Sequence, residues 1–236
     1  MPTLPHYLIT TVILTFLVVA PARSGEYPND RWKEHRTAIG TCLINHADNG
    51  TLDQILTEAM AMEVKGGTEK PEADYVNSKY VPKGYQSIVY SWGGTRTKDM
   101  TVMGKTITIN ITDDISFGSV RQMNPEYFDN SYRTPTEEDK QRMREQMAKA
   151  LDTSAAAATE THKKAGSALV ENMMDGMAYE SVDGIGDDAA WDIKESKLIV
   201  LTGDVVFDVK VDLEFDWRSN MKRAIPLAKK ILAACQ

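Results

Sequence analysis

From 205 to 217 every odd position is apolar: Val205, Phe207, Val209, Val211, Leu213, Phe215 and Trp217. The even positions carry Asp208, Lys210, Asp212, Glu214 and Asp216. A period of two is the mark of a strand with one face buried and one wet. The same alternation puts Ile107, Ile109 and Ile111 on one side and Thr106, Thr108, Asn110 and Thr112 on the other. This predicts a strand over 102–112, preceded by one over 85–92 with a turn at Gly93-Gly94. Shorter strands are predicted near 177–182, 189–193 and 197–201, with a turn at Thr202-Gly203-Asp204.

Other segments follow the helical period. Leu52, Ile55, Leu56, Ala59 and Met60 share a face behind the capping box Thr51-x-x-Gln54, and Gly66-Gly67 ends that helix. Trp32, Ile39, Cys42 and Leu43 suggest an earlier helix from about residue 30. Residues 68–82, and the Tyr- and Asn-rich stretch between Pro125 and Pro135, read as loops. An apolar stripe through Met143, Met147, Leu151, Ala158, Ala165, Leu169 and Met173 predicts one long helix or two in sequence, ending near Gly176. A last helix over 220–234 gathers Met221, Ala224, Ile225, Ala228, Ile231, Leu232 and Cys235, with Pro226 best tolerated in a first turn. The predicted fold class is α+β: an antiparallel sheet with helices packed on one face. The element order also suggests two similar halves, 25–125 and 136–236, although no sequence repeat marks them.

The N-terminus adds an address. A mostly apolar run over 7–20 ends in Ala20-Pro21-Ala22, the small-residue spacing of a secretory cleavage site. The run falls short of the roughly 20 apolar residues that a spanning helix needs. Its one departure from the pattern is the lack of Lys or Arg before the apolar core. The expectation is a signal peptide over 1–24 and a single mature domain over 25–236, periplasmic or secreted and not membrane-spanning.

The chain carries a net charge of −7. That sign argues against nucleic acid as a partner, where Lys and Arg must neutralise phosphates. It also disfavours adsorption on anionic lipid. Cys42 and Cys235 are the only cysteines, and in an oxidising compartment an even pair predicts a disulfide.

Candidate chemistry is sparse. Asp208, Asp212, Glu214 and Asp216 would stand on one strand face, where side chains two residues apart are about 7 Å apart, a row interrupted only by Lys210 and able to grip a cationic ligand or Ca²⁺. Gly184-x-Gly186 is followed by a strand-like run rather than a helix, so a turn is expected rather than a dinucleotide site. Ser219-x-x-Lys222 has the spacing of a serine nucleophile motif but no downstream K-T-G. A helix N-cap is the plainer reading of Ser219. Thioethers bind Cu(I), yet most of the methionines fall on apolar helix faces. The remaining histidines make no H-x-x-x-H pair, and C-x-x-C is absent. No cofactor and no metal are expected.

The run Val182-Asp-Gly-Ile-Gly-Asp-Asp-Ala-Ala-Trp191, with Leu198-Ile-Val-Leu201 and Ala228-Lys-Lys-Ile-Leu-Ala-Ala234, resembles the second half of small secreted bacterial envelope proteins of uncharacterised function, often lipoproteins. In that group a Gly-x-Gly-Asp-x-Ala turn precedes a strand pair and an amphipathic terminal helix. The lipid-attachment cysteine of the group is missing here. The leading expectation is an exported envelope protein that binds a small ligand or a protein partner without catalysis. A secreted hydrolase built on scattered carboxylates and a periplasmic metal-binding protein are the alternatives.

Overall fold

The computed structural model describes residues 36–76, 81, 84–102, 104–153, 168, 171–172, 174 and 177–236. The predicted leader over 1–24, the start of the first predicted helix and most of 154–176 lie outside the described residues. The architecture is α+β. Helix α1 (Ala38–Asp48), a 3₁₀ turn (Leu52–Gln54) and helix α2 (Glu58–Lys65) precede strands β1 (Glu72–Val76), β2 (Ser87–Val102) and β3 (Lys105–Gln122). Helices α3 (Pro125–Ser131) and α4 (Glu137–Thr153) follow. Strands β4 (Tyr179–Ser181), β5 (Asp188–Asp192), β6 (Lys197–Thr202) and β7 (Val205–Asp212) lead into α5 (Trp217–Ala233). The seven strands among the described residues form one sheet in the order β1-β2-β3-β7-β6-β5-β4, every pair antiparallel.

Alternation in β5, β6 and β7 divides the apolar residues between two cores. Ala189, Trp191, Leu198, Val200, Val205, Phe207, Val209 and Val211 point into the main core, which α1, α2 and α5 complete with Leu43, Ala61, Leu227, Ala228 and Ile231. At its centre Phe117 of β3 meets Phe207 of β7 edge to face, 5.7 Å between centroids. On the opposite face Ala190, Ile199, Leu201 and Val206 are covered by Phe128 of α3. Helices therefore pack on both faces rather than one, because the second face of this half of the sheet is also apolar.

Several local expectations are corrected. The helix predicted from Thr51 begins at Glu58, where the Thr57 hydroxyl caps the Met60 amide. Thr51 instead bonds His46 and leaves the first turn as 3₁₀. The stretch 68–82, read as a loop, contains β1, an edge strand with little burial to mark it. Pro125–Ser131 forms α3 rather than a loop, capped by the Asn124 side chain on the Glu126 amide.

Gly93-Gly94 is a bulge inside β2, and the hairpin turns beyond Val102. A Cβ on Gly94 would lie 1.8 Å from the Ile111 carbonyl oxygen, so the backbone approach needs glycine. β7 ends at Asp212 rather than running to 217, and Trp217 opens α5. Asp216 caps that helix, so the earlier start leaves Pro226 in its middle and not its first turn.

Two ties close the unit. Cys42 and Cys235 form the expected disulfide, with Cα atoms 5.6 Å apart, joining α1 to the end of α5. Asp204, fully buried in the β6–β7 turn, accepts bonds from Arg36 Nε at 3.1 Å and Nη2 at 2.8 Å and from Gln122 Nε2 at 3.1 Å. No helix among the described residues is long and apolar enough to cross a membrane.

The two cysteines are 193 residues apart, and loop-closure entropy for a ring of that length is worth up to about 5 kcal/mol. Chemical denaturation with and without reductant should show the reduced protein less stable by a few kcal/mol, an effect absent from a Cys42→Ser/Cys235→Ser variant. Arg36→Ala leaves the Asp204 carboxylate buried without its cation. A loss of about 3 kcal/mol of unfolding free energy is expected, since breaking one side of a buried pair strands the other charge.

Candidate functional site

A break in regular pairing creates the most site-like feature. β3 pairs with β7 residue for residue from Asp114 to Gly118, then the register shifts before Arg121. Gly118 permits the shift: a Cβ there would sit 2.4 Å from Ser87 Cβ. Ser119 takes a positive φ of 52°, and its amide bonds Gln86 O at 3.0 Å. Such a bulge re-aims the side chains beyond it. Here it turns Arg121 onto the sheet face opposite the main core, in register with Val206.

A cleft of about 230 Å³ lies on that face beside α3. Tyr132 follows the last turn of α3, its amide on Phe128 O at 2.9 Å. Its ring packs 5.0 Å from Phe128 and 5.9 Å, edge to face, from Tyr179 of β4. Arg121 donates to the Tyr132 hydroxyl and to Ser119 O, and its guanidinium lies 5.8 Å from the Tyr85 ring centroid. Across the cleft Lys197 reaches Asp208 at 4.0 Å. Asp192 closes the end, its Oδ1 accepting the Lys194 and Glu195 amides at 3.0 Å. Two cations and two carboxylates thus line one small concavity with three tyrosines.

Burial holds the Tyr132 phenol above its ordinary pKa, against the opposing pull of the Arg121 charge. Tyr179 is raised in the same way, by burial first and the Asp192 charge second. Both hydroxyls therefore stay protonated at neutral pH, able to donate as well as accept.

The predicted acidic row is not gathered in one place. Asp208 alone lines the cleft. Asp212 pairs with Arg96 Nη1 at 2.8 Å and Lys210 at 3.7 Å. Glu214, past the end of β7, pairs with Arg223 at 2.7 Å. Asp216 accepts the Arg218 and Ser219 amides at the N-terminus of α5. Its carboxyl lies below the usual range, chiefly through the Ser219 hydroxyl. Ser219 is thereby engaged with Asp216, which takes the capping role expected of the serine. Among the described residues no group of three or more His, Cys, Asp or Glu side chains is arranged to hold a metal ion. The Gly184-x-Gly186 segment is a turn leading into β5.

The chain matches no protein-family model, no curated protein and no solved structure. The site rests on its own geometry. Tyr85, Ser119, Arg121, Tyr132, Tyr179 and Lys197 were all missed by sequence reasoning. Gly118-Ser119 inside an otherwise regular strand was the available signal, since glycine in a strand marks a bulge or a close approach.

Asp188, at the start of β5 on this same face, carries a carboxyl pushed above the usual range by burial and then by hydrogen bonding with Asp129. A raised carboxyl pKa means that the folded state holds its proton more tightly than the unfolded chain. The resulting penalty is absent below the unfolded pKa and complete above the folded one. Asp188→Asn should therefore raise the melting temperature near pH 7, with the gain vanishing towards about pH 3. Thermal unfolding at both pH values checks this, and a gain of equal size at both would contradict it.

Proposed function

We propose that this is an exported protein that binds a small neutral polyhydroxylated molecule, of monosaccharide size, without catalysis, in the cleft beneath Tyr85 and Tyr132. The observation that carries the reading is the lining itself: three tyrosines with Arg121, Lys197, Asp192 and Asp208 around about 230 Å³. Aromatic rings pack against the C–H face of a sugar ring and present a polar tip at their edge. Guanidinium, ammonium and carboxylate groups supply hydrogen bonds of both senses to hydroxyls. The opposite charges balance, which favours a neutral ligand over an anion or a cation. The volume lies just below the range of about 300–1,000 Å³ common for drug-sized ligands, so the occupant is small.

The cleft is preferred to the carboxylate row as a site because the row is dispersed among Lys197, Arg96, Arg223 and the α5 cap. Arg121 is held by Tyr132 and Ser119, an arrangement suited to presenting a fixed hydrogen-bonding plane. Export is supported by the leader pattern and by a disulfide between distant cysteines, a bond typical of oxidising compartments. The place of action that follows is the periplasm or the exterior.

Titration calorimetry against neutral monosaccharides, with amino and carboxylate sugars beside them, tests the reading. Binding of a neutral sugar is expected. Arg121→Ala and Tyr85→Ala should each weaken it about tenfold, equivalent to about 1.4 kcal/mol, while the sugar is recovered unchanged. Equal affinity in the variants, preference for charged sugars, or turnover of the ligand would each overturn it. Intact-mass measurement of the exported protein checks removal of residues 1–24.

A further inference from the structure

β2 and β3 run on beyond the sheet. β1 pairs with β2 only as far as Ser91, and β7 pairs with β3 only from Asp114. From Arg96 to Ile111 the two strands, among the described residues, pair with each other alone, Lys98 with Ile109, Met100 with Ile107 and Val102 with Lys105. Directly paired residues share a face. β3 is uninterrupted here, so Ile107 and Ile109 lie on the same face as Ile115 and Phe117 of the main core. The core face thus continues past the helices that cover it and emerges into solvent.

The large apolar side chains exposed on that emerging face are Met100, Val102, Ile107 and Ile109, exposed by 42, 46, 47 and 36 %. An isolated two-stranded hairpin is marginal in water, and among the described residues this one is secured at its base. There Arg96 bonds Asp113, Asp212 and the Thr112 carbonyl. The opposite face is polar, with Thr97, Thr101, Thr106 and Thr108, the last donating to Asp99 at 2.6 Å.

Charge decides what covers the apolar face. Lys98 and Lys105 stand on it, exposed, and neither is ion-paired among the described residues. The acidic residue of the arm, Asp99, belongs to the other face. A second copy docked face to face would bring these lysines against apolar side chains or against each other. An anionic bilayer presents the complement, phosphates for the ammonium groups above acyl chains for Met100, Val102, Ile107 and Ile109. We propose that this arm docks the protein on bilayers containing anionic phospholipid. The net charge of −7 keeps the body off such a surface, so contact is confined to the arm and is reversible and salt-sensitive.

Co-sedimentation of the exported protein, without residues 1–24, with vesicles tests the proposal, using phosphatidylcholine alone and with about 30 mol% phosphatidylglycerol. Binding to the anionic vesicles is expected, at least about fivefold weaker on the neutral ones and falling with salt. Ile107→Thr/Ile109→Thr, which retains β-branched residues, should lower partitioning by about tenfold. Lys98→Gln/Lys105→Gln should abolish the preference for anionic lipid. The lysine variant leaves the apolar face intact, so it remains decisive if the threonine variant is destabilised, which circular dichroism reports. Equal partitioning of wild type and both variants, or no partitioning of the wild type, overturns the proposal. So does concentration-dependent dimerisation that the threonine variant removes, since the face would then bind a second copy.

Discussion

The pairing of β3 with β7 is the constraint on which the rest of this structure depends. It joins a hairpin from the first half of the chain to a four-strand meander from the second, across many intervening residues. Neither part is a complete layer alone. The hairpin needs a neighbour to bury Ile115 and Phe117, and the meander needs one to continue the floor beneath α1 and α5. Closing so long a loop costs entropy that no local contact returns. The compensation is the edge-to-face packing of Phe117 on Phe207 and the continuous apolar face on either side of it. The disulfide acts in the same direction by clasping α1 to α5 over that seam.

The same pairing also generates the cleft. A perfectly regular β3–β7 ladder would leave that face as a flat lattice of alternating side chains. The irregularity between Gly118 and Arg121 breaks the lattice and moves a guanidinium under the tyrosines delivered by α3 and β4. Fold and site are therefore one event. The glycine that lets β3 approach Ser87 so closely is also the one that turns Arg121 toward the cleft.

Acidic residues outnumber basic ones, 34 to 27, but they do not set the chemistry. Several carboxylates are engaged in holding elements together. Asp204 pins α1 to the β6–β7 turn, Asp113 and Asp212 secure the root of the hairpin arm, and Asp216 starts α5. Lys65 adds a further contact to Asp113 from α2. Buried Asn220 completes the pattern, taking the Leu213 and Glu214 amides where β7 gives way to the helix. What stays unpaired on the surface, the lysines of the arm among it, stands out against that background.

How much of this was legible follows from the range of each interaction. Period-two alternation through β7, helical spacing in α5 and the paired cysteines are properties of neighbouring residues or of composition, so the α+β class and the disulfide could be read from the chain. Alternation shows that one side of a strand is apolar, and it is silent on what lies opposite. It therefore could not tell that Ile107 and Ile109 emerge beyond the helices while Ile115 and Phe117 are covered. Nor could it show that Asp208, Asp212, Glu214 and Asp216 part company where the backbone leaves the sheet at Asp212. The cleft was beyond reach for the same reason. Its residues come from segments distant in the chain, and they meet only because a long-range strand pair carries a bulge whose position is set by contact with Ser87. The sequence by itself determined the periodicities, the cysteine pair and the secretory pattern; the tertiary structure alone decided which faces are covered and which side chains converge, because both depend on pairings across the whole length of the chain.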